Sequence, residues 1–133
     1  MAYGTINVDT LTASTGVLAT QNGMTGIAKA WVQFAGSTGT IAGSFNVSSV
    51  SRTATGTYTI NFTTAMTNAN YSFVTGSSPQ SAGQDGTVLL SNPANAPTAS
   101  ALYLLNGKPG SLAGGFSTNL VDVPYNCVTI FGA

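Results

Sequence analysis

The chain has 133 residues, enough for one domain with a real core, yet only six side chains carry a formal charge (three Lys+Arg, three Asp+Glu), and there is no histidine. Globular proteins draw about a quarter of their residues from those four charged types. Most of the parts for acid–base, metal and phosphate chemistry are therefore missing, and three separated cations cannot neutralise a run of phosphates, which argues against nucleic acid as a partner.

Along the chain, residues 1–23 stand apart in composition. Ile6, Val8 and Leu11 alternate weakly with polar neighbours. This segment reads either as an edge strand of the domain or as an extended arm for assembly that pairs with a neighbouring subunit. Residues 24–133 form the second unit. A strand is expected over 27–34, with Lys29, Trp31 and Gln33 on one face and Ala28, Ala30, Val32 and Phe34 on the other. Residues 44–50 begin with the same alternation, and 52–56 read as a hairpin loop in which Gly56 can take positive φ. The clearest strand is 57–63: Tyr58, Ile60 and Phe62 share a dry face, with Thr and Asn on the other. A single helical turn is expected at 64–69, and strands at 71–76, 87–91, 99–105 and 126–131, with a weaker one at 117–123. Segments 77–86 and 92–98 read as surface loops. Turn signals fall at Asn22-Gly23, Ser78-Pro79, Asn92-Pro93, Asn106-Gly107 and Lys108-Pro109-Gly110. β-Branched and aromatic runs broken by Gly, Asn, Ser and Pro, with no long amphipathic helix and no fixed repeat, predict an all-β fold. The expected architecture is a single β-sandwich or jelly-roll-like module carrying an N-terminal extended arm.

Neutral polar residues supply the polarity, so copies repel one another little, and a homo-oligomer or a place in a larger assembly is expected. The single cysteine, Cys127, excludes an intrachain disulfide; set in an apolar run, it is expected to be a buried small hydrophobe. No secretory signal and no membrane-spanning run is read, so no membrane insertion is expected. The sequons at Asn46, Asn61 and Asn70 are taken as chance in so Asn/Ser/Thr-rich a chain.

With no histidine base, no cluster of metal-ligating side chains, no phosphate-binding glycine loop and three dispersed aspartates, no catalytic residue, metal or cofactor is expected. Surface recognition remains. Trp31, between Lys29 and Gln33 on one strand face, reads as a core residue, a subunit contact or a sugar-stacking platform. Tyr71, Tyr103 and Tyr125 read as core or rim residues.

The run Thr25-Gly26-Ile27-Ala28-Lys29-Ala30-Trp31-Val32-Gln33-Phe34, then Ser44-Phe45-Asn46-Val47-Ser48-Ser49-Val50, Gly56-Thr57-Tyr58-Thr59-Ile60-Asn61-Phe62 and Ala65-Met66-Thr67-Asn68-Ala69-Asn70-Tyr71, resembles the C-terminal module of bacteriophage tail-fibre and related virion surface proteins. The opening Gly4-Thr5-Ile6-Asn7-Val8-Asp9-Thr10-Leu11 is similar to the start of such proteins, while after Ser77 the resemblance is only general. It implies a β-rich, non-enzymatic structural protein, a homotrimer on the surface of a phage particle in contact with other capsid or tail proteins. The chain lacks a shaft, coiled-coil heptads and a collagen-like repeat, which favours a knob or capsid-decoration protein. The alternative is a tail-fibre tip that binds a host-surface receptor or glycan.

Overall fold

The computed structural model describes residues 27–82, 87–108 and 119–132. The predicted arm, with Ile6, Val8 and Leu11, lies outside them. The strands are β1 (Ala28–Phe34), β2 (Ile41–Phe45), β3 (Val47–Ala54), β4 (Thr57–Phe62), β5 (Ser72–Ser77), β6 (Val88–Ser91), β7 (Ala101–Gly107) and β8 (Asn126–Phe131). They form two four-stranded sheets, ordered β2-β1-β8-β5 and β3-β4-β7-β6. Every pairing is antiparallel. The fold is the all-β sandwich that the alternating pattern predicted.

The inner faces follow from strand periodicity. Ala30, Val32 and Phe34 of β1 and Val128 and Ile130 of β8 face Tyr58, Ile60 and Phe62 of β4 and Leu102 and Leu104 of β7. The Phe34 and Tyr58 rings meet edge-to-face at 5.1 Å between centroids, and Phe62 meets Tyr71 in the same way at 5.7 Å. The buried Tyr71 hydroxyl lies 3.0 Å from Ala101 O and 3.1 Å from Thr98 O, either of which can accept its proton. Burial pushes this phenol up to about 12. One open side of the sandwich is stitched by side chains. Thr75 Oγ1 on β5 donates to Leu89 O on β6 at 2.7 Å, and Ser77 Oγ donates to Thr87 O at 2.9 Å.

The expected strand over 44–50 is in fact two strands broken at Asn46, which has φ 55°. Asparagine tolerates this left-handed conformation better than most residues. Here its side chain fixes the corner. Nδ2 donates to Lys29 O and Thr64 O at 3.1 Å each, and Oδ1 accepts from Thr64 N at 2.7 Å. The corner carries the chain from β2 in one sheet to β3 in the other. It also takes Thr64 into its hydrogen bonding, and residues 64–69 form bends instead of the expected helical turn.

Two further corrections concern β7 and the segment before β8. Asn106-Gly107 is not a turn but the end of β7, with Asn106 fully buried and its Nδ2 donating to Asn126 Oδ1 at 2.7 Å. Residues 119–123, the described part of the weaker predicted strand, make one isolated bridge, Gly107 with Leu120.

Candidate functional site

Three constellations in the described residues hold chemistry or exposed recognition groups: a carboxylate cluster at the β3–β4 hairpin and the two outer sheet faces.

The cluster centres on Asp122. Its Oδ2 accepts from Arg52 Nε at 2.9 Å and Nη2 at 2.7 Å; its Oδ1 accepts from Gly56 N and from Tyr58 Oη, both at 2.9 Å. Gly56, at φ 62°, brings its N–H toward the carboxylate, and its own carbonyl accepts from Asn106 N at 2.7 Å. Burial alone would raise the Asp122 carboxyl, but the hydrogen bonds from Arg52, Gly56 and Tyr58 outweigh it and hold the group below the usual carboxylate value. Burial, then the bond to Asp122, pushes the Tyr58 phenol well above its ordinary value. Acid and phenol are thus driven apart, one fixed ionised and the other fixed protonated near neutral pH. A proton-transfer pair needs values near the working pH. The arrangement acts as a clamp between the hairpin and the segment entering β8. Sequence reasoning missed it, because the partners lie 64 to 70 residues apart.

The expected face of Lys29, Trp31 and Gln33 is only partly assembled. Trp31 and Gln33 are exposed on the outer face of the first sheet, while Ala30, Val32 and Phe34 are buried, as alternation requires. Lys29 departs from the pattern. The register slips between Ala28 and Ala30, so Lys29 sits at a bulge and is buried, 8% exposed, with no hydrogen-bond partner for Nζ among the described residues. A buried amine without a partner is costly. Lys29→Met is therefore expected to raise stability by about 1 kcal/mol or more in urea denaturation. A loss of stability would show that the amine is satisfied in solution.

Cys127 is also corrected. It is exposed, not buried. Val128 and Ile130 set the inward phase of β8, so Asn126 takes the core position and Cys127 the outer one.

Register brings together what the sequence separated. Trp31 pairs with Phe45 on one side and Thr129 on the other, and Thr129 pairs with Val74. Phe45, Trp31, Thr129 and Val74 therefore form one row across all four strands of the sheet. Phe45 (38%), Trp31 (42%) and Val74 (65%) are large apolar side chains left exposed. The indole lies over Gly43, where an added Cβ would come 3.4 Å from Trp31 Cζ3. One register step along, Gln33 pairs with Cys127, and Cys127 with Gly76.

The outer face of the second sheet differs. Ser51, Thr59 and Tyr103 form a row across β3, β4 and β7. The neighbouring row holds Ser49 and Asn61, joined by Asn61 Nδ2 to Ser49 Oγ at 3.0 Å. Of the candidate tyrosines, Tyr71 is core, Tyr103 is half-buried on this face, and Tyr125 is exposed in the segment before β8. The strands carry two charged side chains, the buried Lys29 and Arg52, which is bound to Asp122. No protein-family model, curated protein or solved structure matches this chain.

Proposed function

We propose that the chain is a non-enzymatic structural protein of a bacteriophage particle, self-associating and decorating the particle surface as a capsid-decoration or knob protein. The observation that carries this reading is the state of the exposed sheet faces. One presents an apolar row centred on Trp31 and the other a row of hydroxyls, and among the described residues neither carries an exposed charge: Lys29 is buried, and Arg52 shares the inner phase of β3 with its pair partner Tyr58 and binds Asp122. Exposed apolar patches rimmed by polar residues mark contact surfaces. The resemblance across Thr25 to Val74, which covers β1 through the middle of β5, supplies the particle context and the homotrimer. The partners are other copies of the chain and other capsid or tail proteins.

The second reading, a tail-fibre tip that binds a host-surface glycan, draws on Tyr103 among Ser51, Thr59 and Asn61. There an aromatic ring lies beside several neutral hydrogen-bonding groups. One experiment addresses both. Antibody labelling of intact particles, read by electron microscopy, is expected to decorate the particle surface at many sites. Glycan-array binding that disappears in Tyr103→Ala, with labelling confined to the tail end, would replace the first reading by the second. Absence of the protein from purified particles would overturn both.

A further inference from the structure

We propose that the outer face of the β2-β1-β8-β5 sheet is where copies of this chain meet, each presenting the row Phe45, Trp31, Thr129 and Val74 to the same face of a neighbouring copy. This deepens the self-association reading above and rests on that reading alone, not on the homotrimer, because a face that meets its own copy forms a two-fold pair.

Two observations select a second copy as the occupant, and a third sets the strength of the contact. The first is charge. A face that packs against itself sets each charged group against its own like. Among the described residues this face has no exposed charge, since Lys29 is buried at its bulge. A cationic or anionic partner would find nothing to pair with. The second is anatomy. An aromatic anchor, Trp31, sits on an inner strand, over Gly43 and between Phe45 and Thr129, with the row Ala28, Phe131 and Ser72 toward one end and Gln33, Cys127 and Gly76 toward the other. A central aromatic enclosed by smaller and polar groups is the usual pattern of an interface hot spot. The third is area. Strands spaced about 4.8 Å apart, with roughly six residues at about 3.3 Å each, give a four-stranded face of about 400 Å². Two such faces bury about 800 Å², below the ~1,200 Å² of a standard stable interface. The contact is therefore weak and reversible in free solution. Fixing copies side by side on a particle raises their effective concentration and makes the same contact persistent.

The chain carries its own reporters. Trp31 is the sole tryptophan and Cys127 the sole cysteine, and both lie on this face. The test is a dilution series from hundreds of micromolar to below micromolar. It is followed by sedimentation velocity, Trp31 emission and the rate of Cys127 labelling by a maleimide. The 133-residue chain is compared with Val74→Lys and Val74→Leu. Val74 is an exposed edge-strand residue, so neither change disturbs the core, and circular dichroism checks the fold.

The expected result is an oligomer at high concentration with blue-shifted Trp31 emission and several-fold slower Cys127 labelling. Both signals should revert on dilution. Val74→Lys should weaken association at least tenfold, while Val74→Leu keeps it. An oligomer in which Trp31 stays solvent-like, Cys127 labels at full rate and Val74→Lys has no effect would overturn this face and leave self-association standing. A monomer at every concentration would overturn both. Blue-shifted emission and a protected thiol that do not depend on concentration would assign the face to residues 1–26 of the same chain and overturn the proposal.

Discussion

Asp122→Ala is expected to lower the unfolding free energy by about 2–4 kcal/mol, because it leaves the buried Tyr58 hydroxyl and the Gly56 N–H without an acceptor, and each orphaned buried group costs about 1–3 kcal/mol. Arg52→Gln is expected to lose less, since the guanidinium is already partly exposed and the pair is screened by water. The same cluster sets the pH profile. The Asp122 carboxyl is depressed on folding, so its contribution is present above the ordinary value of 3.8 and is lost as pH falls through the folded value. Only three carboxyl side chains exist in the chain, so a single group can shape the acid limb. Asp122→Asn is expected to flatten it. Tyr58 and Tyr71 are raised on folding, so their contribution is whole below the ordinary value of 10 and is lost as pH rises through the folded values, about 12 for Tyr71. Between these limbs stability should be nearly flat, because the chain has no histidine to titrate there. Urea midpoints measured across pH for the native chain, Asp122→Asn and Tyr58→Phe check both limbs. An unchanged acid limb in Asp122→Asn would remove Asp122 from this role.

Where one physical rule decided a position, the sequence was a sufficient guide. The Tyr58, Ile60, Phe62 alternation gave β4 its inner face, and Ala30, Val32 and Phe34 did the same for β1. Cys127 was within reach of the same rule. Counting in twos from Val128 and Ile130 puts Asn126 inside and Cys127 outside, but residue type, a hydrophobic thiol against a polar amide, pointed the other way. Phase won over composition because Asn126 found a buried partner in Asn106. That partner also explains Asn106-Gly107, whose local turn preference yielded to a strand in which Asn106 bonds across the sandwich. Lys29 failed for a different reason. A bulge adds a residue and breaks the alternation that placed it beside Trp31, and no composition signal marks a bulge. The Phe45–Trp31–Val74 row and the Asp122 clamp were beyond sequence reasoning. Both depend on which strands become neighbours, and β8, the last strand, lies between β1 and β5.

Gly56→Ala is expected to be the most damaging of three glycine substitutions that separate backbone strain from lack of room. At Gly132 the residue has φ 89°, but the nearest atom to an added Cβ is Tyr71 Cα at 3.9 Å, so alanine there meets only the conformational cost, about 1–2 kcal/mol. At Gly36 no positive φ is involved, but a Cβ would lie 2.5 Å from Tyr58 Oη and 2.8 Å from both Val123 N and Val123 O. The hydroxyl is held by Asp122 and the Val123 carbonyl by Gly36 N at 2.9 Å, so neither can move without breaking a bond. Gly56 combines both penalties. Its φ is 62°, and a Cβ would lie 2.5 Å from Asn106 O and 2.8 Å from Val121 N, two atoms already bonded to each other at 3.0 Å. Relief requires the hairpin to leave β7 and the Asp122 segment together, which adds the loss of the clamp to the strain. The expected costs are about 1–2 kcal/mol at Gly132, about 2–3 at Gly36 and above about 3 at Gly56. In Asp122→Ala the segment is already released, so the Gly56 penalty should shrink in the double variant, a coupling that distant sites do not show. Chemical denaturation of the single and double variants measures it. Additive losses would mean that Gly56 and Asp122 hold the hairpin independently, because a shared clamp can be lost only once.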